Sequence, residues 1–366
     1  MQPETIGFIG LGLIGGSIAK TIHRIFPEIR QIAFDISEET LKEAAADGVI
    51  AEGYTELSDA FSACDIIFLC APVLENDDYL KQLLPLLREE MIVTDVGSVK
   101  NRIHEKIQSL PELEKHFIGG HPMCGTEYTG YAYSKDYLLE NAYYVLTPSD
   151  TVPQEKVDRF FHFIQSIGAL PLIMNPKAHD HAVGSVSHLP HVISASLVNL
   201  VRETDDEKET MRTIAAGGFK DITRISSSSP VMLENICIAN REEILHLIDN
   251  YLTEVEKIRE KIASADGDEI NAYFSEAKNY RDSINIRGKG SVHPIYQFFC
   301  DLIDEAGGIA TIATILATNN ISIKNIGIIH NREFEQGVIH LEFYQQDACD
   351  HAKELLKKFH YTIYER

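Results

Sequence analysis

The chain has 366 residues, 44% of them hydrophobic and 24% charged, with a formal charge of −22 at pH 7. That is material for two or three domains with real cores, and it excludes intrinsic disorder. The acidic balance argues against nucleic acid or an anionic membrane as main partner, and no apolar run reaches the roughly 18 residues of a membrane span. The six cysteines (Cys64, Cys70, Cys124, Cys237, Cys300, Cys349) are scattered without a Cys-x-x-Cys pair, which suits a reducing compartment and offers no metal site. A strand starts almost at once, leaving no stretch that reads as a leader, so a cytoplasmic protein is expected.

Thr5-Ile6-Gly7-Phe8-Ile9 predicts a short strand running into Gly10-Leu11-Gly12-Leu13-Ile14-Gly15 and a helix to about Phe26. Gly10 permits the tight turn and Gly12 lets a pyrophosphate approach the backbone. Gly15 lets helix and strand pack closely, and the helix N-terminus holds the phosphates. The next strand, Gln31 to Phe34, ends in Asp35, where a carboxylate bonds a ribose 2′-hydroxyl and repels a 2′-phosphate. Glu38 and Glu39 follow and no Arg or Lys stands close, so the cofactor reads as NAD rather than NADP.

The alternation continues with strands at Asp65–Cys70 and Ile92–Asp95. Ligands sit at the carboxyl ends of such strands, which makes Ala71 and Pro72 candidate cofactor contacts. Ser98 is a candidate contact of the cofactor, a partner for a nearby imidazole and an N-cap of the following helix. Phe117-Ile118 then delivers Gly119-Gly120-His121-Pro122-Met123-Cys124-Gly125-Thr126-Glu127. The glycines are expected to let a ligand approach the main chain. They surround a histidine, the side chain best suited to moving a proton near neutral pH. Glu127 stands where it can meet a substrate or orient another group. Strands at Ala142–Leu146 and Ala169–Ile173 flank a helix near 153–167.

After Asn175-Pro176 the strand signals cease. His179 to about Val201 predicts a long helix, interrupted or kinked at Pro190, that carries His188 and His191 on one face. Without a carboxylate or cysteine to complete a set, these read as one core and one site histidine and not as a metal centre. In Ala215 to Ile225, Asp221 and Arg224 stand three apart on a predicted helix, the acid placed to hold the guanidinium toward a ligand carboxylate, and Gly217 allows close approach. Helices over 231–283, charged on one face and Ile/Leu-rich on the other, offer a self-association surface. A basic linker, Arg287 to Ser291, leads to β-α-β-β-α-β in some 75 residues, a ferredoxin-like module. There Gly307 and Gly308, at a helix N-terminus facing the Asn320 strand, are a candidate carboxylate site.

Taken together, Gly10–Gly15 with Asp35, Thr94–Lys100, Gly119–Glu127, Ser187–His191 and Gly217–Arg224 resemble prephenate dehydrogenase, in family order across residues 1–285. The tail is similar to an ACT module, a small-molecule sensor appended to some members. The resemblance implies a Rossmann-type α/β dinucleotide-binding domain (1–174), an all-α substrate and dimerisation domain (175–285) and a ferredoxin-like ACT regulatory domain (292–366). It implies oxidative decarboxylation of prephenate to 4-hydroxyphenylpyruvate with NAD. His121 is then the base at the 4-hydroxyl, oriented by Ser98. Arg224 is the carboxylate ligand supported by Asp221, and Glu127, His191 and Gly217 line the pocket. It further implies a homodimer or larger and L-tyrosine as allosteric inhibitor. One departure is Leu233, which follows Pro230-Val231-Met232 where many relatives carry an aromatic residue. The rivals are arogenate dehydrogenase, a β-hydroxyacid dehydrogenase with a lysine base, and a nucleotide-binding sensor without catalysis.

Overall fold

Strand-length apolar runs alternating with helical segments build a parallel sheet in the computed structural model, which describes residues 3–72, 75–126, 128–284, 296–301, 307–329 and 338–364. The elements are β1 (Thr5–Ile9), α1 (Leu13–Ile25), β2 (Arg30–Phe34), α2 (Glu38–Ala46), β3 (Glu52–Tyr54), β4 (Ile66–Leu69), α3 (Asn76–Leu83) and β5 (Ile92–Asp95). The five strands run parallel in the order β3-β2-β1-β4-β5. Successive side chains of a strand point to opposite faces, and both faces are covered. Ile6, Phe8 and Phe68 pack with Ile18 and Ile22 of α1. Ile9, Ile67, Leu69 and Val93 pack with Leu80 of α3 and with Ile103 and Ile107. Each such side chain contributes about 1.5–3 kcal/mol on burial, which is why the runs are continuous rather than alternating.

Beyond β5 come α4 (Asn101–Gln108), the single turn α5 (Pro111–Glu114), β6 (Ile118–Pro122), β7 (Tyr143–Pro148), α6 (Gln154–Ser166) and β8 (Leu170–Ile173). β6 pairs antiparallel with β7, which pairs parallel with β8. A parallel bridge between Val93 and Phe117 ties the start of β6 to β5. Gly119 and Gly120 do not open a path for a ligand, as their composition suggested. A Cβ at Gly119 would collide with Thr147 Oγ1, and one at Gly120 with the carbonyl oxygen of Asp95. They are glycines so that β6 can lie hard against its neighbours.

The helical half opens with α7 (Pro176–Val183), capped by Asn175, whose side chain accepts from Lys177 N at 3.0 Å. The expected interruption exists but lies one turn earlier than Pro190. It is a π-helical turn over Gly184–His188, after which α8 (Leu189–Thr204) resumes. Pro190 lacks an N–H and its ring crowds the carbonyl four residues back, so the ladder widens ahead of it. Then follow α9 (Thr210–Ile214), α10 (Gly217–Thr223), α11 (Pro230–Ala239), α12 (Arg241–Ser264) and α13 (Gly267–Ser283). Their apolar side chains are poorly covered: Val231, Leu252 and Phe274 are 65%, 58% and 59% exposed.

The chain divides into two compact units, Met1–Asn285 and Ile286–Arg366. The second holds β9 (Tyr296–Asp301), α14 (Gly308–Thr318), β10 (Ile323–Ile329), β11 (Val338–Phe343), α15 (Gln346–Lys358) and β12 (Ile363–Tyr364). Its antiparallel sheet has the order β10-β11-β9-β12, the ferredoxin-like arrangement expected of this connectivity. Phe298, Leu316, Leu341, Phe343 and Leu356 form its own core. The basic segment Arg287 to Ser291 lies outside the described residues.

Candidate active site

The glycine turn is built as its spacing requires. Gly10 adopts φ +95°, and a Cβ there would press on Ala71 N and the Cys70 carbonyl. At Gly15 a Cβ would strike Gly10 O. At Gly12 nothing lies within 4 Å of a Cβ, so a ligand can approach the backbone there. No side chain caps α1, which leaves its first-turn N–H groups available to an anion. Asp35, at the end of β2, accepts from Leu11 N (2.7 Å) and Ser37 N (2.8 Å). It is thereby fixed beside the glycine turn. Ala71 and Pro72 follow β4 at the same sheet edge. An uncapped helix, an open cradle and an anchored carboxylate together fit a dinucleotide of the NAD type.

His121, near the end of β6, is half-buried. Its Nδ1 lies 2.8 Å from Nε2 of His179 on α7, and His179 Nδ1 lies 2.7 Å from Asp180 Oδ1. The Asp180 carboxylate also accepts from Lys100 N and Asn101 N, both at 2.8 Å, and so closes the N-terminus of α4 from the helical half. A carboxylate only accepts, so His179 carries its proton on Nδ1 and offers Nε2 as acceptor. His121 must then donate from Nδ1, which leaves its Nε2 a bare lone pair. Burial pushes the imidazole of His121 well below its ordinary value, and His179, Lys100 and His188 add to that in this order. The side chain is therefore a neutral base near neutral pH.

No hydrogen bond joins Ser98 to His121 among the described residues; the Nδ1 of His121 is met by His179. Nor does Ser98 cap α4, which begins at Asn101 and is capped by Asp180. His188 is buried on the π turn, with Nδ1 3.1 Å from the Asn240 amide nitrogen, and burial pushes it down to about 4. His191 is half-buried, and its Nδ1 donates to Ile225 O at 3.2 Å. Burial chiefly lowers its pKa also. His191 thus touches the turn that bears Arg224, and Ser194 reinforces the contact through Ile222 O at 3.1 Å and the Ser226 hydroxyl at 2.6 Å.

Asp221 and Arg224 form no ion pair; both are exposed. α10 stops at Thr223 and Arg224 opens a 3-10 turn; on this exposed face the three-residue spacing does not by itself draw the two side chains together. Gly217 begins α10 with nothing within 4 Å of a Cβ. Leu233 is half-buried in α11. Glu127 lies outside the described residues. In the second unit Gly307, at φ +99°, precedes α14 and Gly308 begins it, with no side-chain cap, and Asn320 at φ +57° precedes β10. Sequence reasoning missed His179 and Asp180. The available signal was a His-Asp pair in the helix that follows β8.

The chain is similar to known proteins along most of its length. The nucleotide-binding domain of prephenate dehydrogenase matches residues 18–171, and its dimerization domain matches residues 175–276. A Bacillus subtilis protein named prephenate dehydrogenase is 35% identical over 355 residues, 97% of this chain and 96% of its own length. A solved A. aeolicus prephenate dehydrogenase, in complex with hydroxyphenyl propionate and NAD+, is 31% identical with a TM-score of 0.74. It covers 78% of this chain and 99% of its own. Synechocystis arogenate dehydrogenase is 29% identical with a TM-score of 0.70, covering 77% and 100%.

Proposed function

The chain belongs to the prephenate dehydrogenase family, and from that premise we propose how its own residues carry the reaction. It is an NAD-dependent oxidoreductase that converts prephenate to 4-hydroxyphenylpyruvate with loss of carbon dioxide. Bound NAD supplies the acceptor for the hydride at C4 of the ring. The α1 N-terminus would hold its phosphates and Asp35 its ribose. His121 Nε2 takes the proton of the 4-hydroxyl, while its Nδ1–H rests on His179 and, through it, on Asp180. The electron pair left by departing carbon dioxide closes the aromatic ring, and the proton returns to the phenolic oxygen. Aromatisation drives the step, so the protein chiefly positions and deprotonates.

The observation that carries this reading is the chain His121–His179–Asp180, which leaves one unprotonated imidazole nitrogen facing away from its support. Arg224, exposed and without an ion-pair partner among the described residues, takes a substrate carboxylate. Asp221, Gly217, His191, Glu127 and Ser98 border the substrate. Comparing prephenate with arogenate as substrates for NAD reduction tests the choice; a higher kcat/KM for arogenate would reverse it.

The helical domain over 175–285 associates with a second copy and the enzyme works in the cytoplasm as a homodimer or larger. Residues 292–366 are an ACT regulatory domain that takes L-tyrosine at Gly307, Gly308 and Asn320. Two observations support the tail reading. Its topology is ferredoxin-like. The 355-residue match to the Bacillus relative exceeds the 285 residues of the first unit, so at least 70 of its positions (355 − 285) fall in the tail.

A further inference from the structure

A buried ion pair grips β6 one residue before His121. Lys100 is 0% exposed and Asp95 1%. The Asp95 carboxylate meets Lys100 Nζ in an ion pair and accepts from Gly97 N at 3.0 Å. Its other oxygen accepts from Gly120 N at 3.1 Å, while Lys100 Nζ donates to Gly120 O at 2.6 Å. Both polar main-chain groups of Gly120 are therefore held by one ion pair. The backbone N–H of Lys100 in turn reaches Asp180 Oδ1, the oxygen that also meets His179. One residue thus touches both ends of the histidine chain: its ammonium fixes the strand that presents His121, and its amide fixes the carboxylate behind His179.

Stability does not account for such a pair. Desolvating two charges commonly outweighs their attraction, and apolar residues of similar volume pack at least as favourably. We propose that Lys100, with Asp95, is a positioning residue for the reaction, holding His121 where its Nε2 meets the substrate hydroxyl. This rests on the reading of His121 as the base. The charged and titratable groups around that imidazole are His179 and Asp180 on α7, His188 on the π turn, Asp95 on β5 and Lys100 after it. The Lys100 ammonium, ion-paired to Asp95, opposes a positive charge on His121, while burial pushes the pKa of Lys100 itself down.

The test is a double-mutant cycle on the full-length enzyme with NAD and prephenate. Lys100→Met is expected to lower kcat about 10²-fold, the scale of a roughly 1 Å misplacement, with KM for prephenate and Kd for NAD within about threefold. The acid limb of its kcat profile is expected to move to higher pH, as the opposing cation is gone. In a His121→Asn background the same substitution is expected to cost less than about threefold, since no base remains to be positioned. An equal fall in kcat in both backgrounds overturns the proposal and makes Lys100 merely structural. Near-normal kcat for His121→Asn alone overturns the base reading, and this inference with it. Should Lys100→Met leave Asp95 uncompensated and fail to fold, Asp95→Asn/Lys100→Met removes both charges. Full activity of that double variant also overturns the proposal.

Discussion

Every side chain in the histidine chain has its proton assigned by what stands behind it. Asp180 accepts, His179 passes the constraint on, and His121 is left basic at Nε2. His121→Asn is accordingly expected to lower kcat by about 10²–10⁴-fold, with NAD affinity, measured by titration, unchanged because α1 and Asp35 are untouched. Burial holds the His121 pKa well below its ordinary 6.5, so the acid limb of the wild-type kcat profile is expected below pH 6.5. Asp35 is locked by two backbone donors and cannot swing away from a 2′-phosphate. Asp35→Ser is expected to reduce the preference for NAD over NADP at least about tenfold, the loss of one charged hydrogen bond of about 1.5–3 kcal/mol. An unchanged ratio of kcat/KM values would remove Asp35 from cofactor choice. Two other buried histidines set acid stability. His104 and His188 fall to about 4 on burial, against about 6.5 when unfolded. Between those values the unfolded chain binds more protons, so their contribution is complete above about 6.5 and is lost as the pH drops toward 4. Each is worth about 3 kcal/mol at most. Denaturant midpoints should fall steadily through that window.

Among the elements, β6 shows most directly how packing serves chemistry. A methyl group at Gly120 would meet the Asp95 carbonyl, which is backbone and cannot rotate aside. Gly120→Ala is expected to cost about 1–3 kcal/mol in stability and to lower kcat at unchanged NAD affinity, since the displaced residue is the neighbour of His121. The glycine turn and Asp35 were legible in the sequence because strand, turn, helix and acid are local and in register. The histidine chain was not. His121 and His179 are 58 residues apart, and Lys100 and Asp180 are 80 apart; no pattern of short period joins them. Ser98, expected to orient His121, follows β5, whereas the Nδ1 of His121 is met by His179 from far along the chain. Asp221 and Arg224, read as a pair from their spacing, make no ion pair with each other, because on an exposed surface three-residue spacing alone does not hold two long side chains together. The break near Pro190 was visible, but its form was not, because a π turn has no residue signature beyond the proline that provokes it.

At the scale of the molecule, the first unit leaves apolar helix surface that none of its described residues covers. Leu252→Glu is expected to weaken the homo-oligomer at least about tenfold, the cost of desolvating an unpaired charge, as seen by analytical ultracentrifugation. The monomer should keep its fold, because Leu252 is already 58% exposed in the single chain. A truncated enzyme ending near Ser291 is expected to retain turnover and lose inhibition by L-tyrosine. Inhibition at full strength would place tyrosine in the His121 pocket instead, where its likeness to the product lets it compete; allostery requires a second site. The tail's topology was readable because its short strands and two helices alternate cleanly, whereas any surface for a partner copy depends on which apolar residues remain uncovered after folding. The bond from Asp180 to the start of α4 has a consequence of another kind. The amides of Lys100 and Asn101 stay protected only while α7 is docked. Their exchange with deuterated solvent therefore counts openings of the seam between the sheet and the helical half. A variant that still binds NAD but exchanges those two amides rapidly has lost the seam, and one that protects them yet turns over slowly has lost only chemistry.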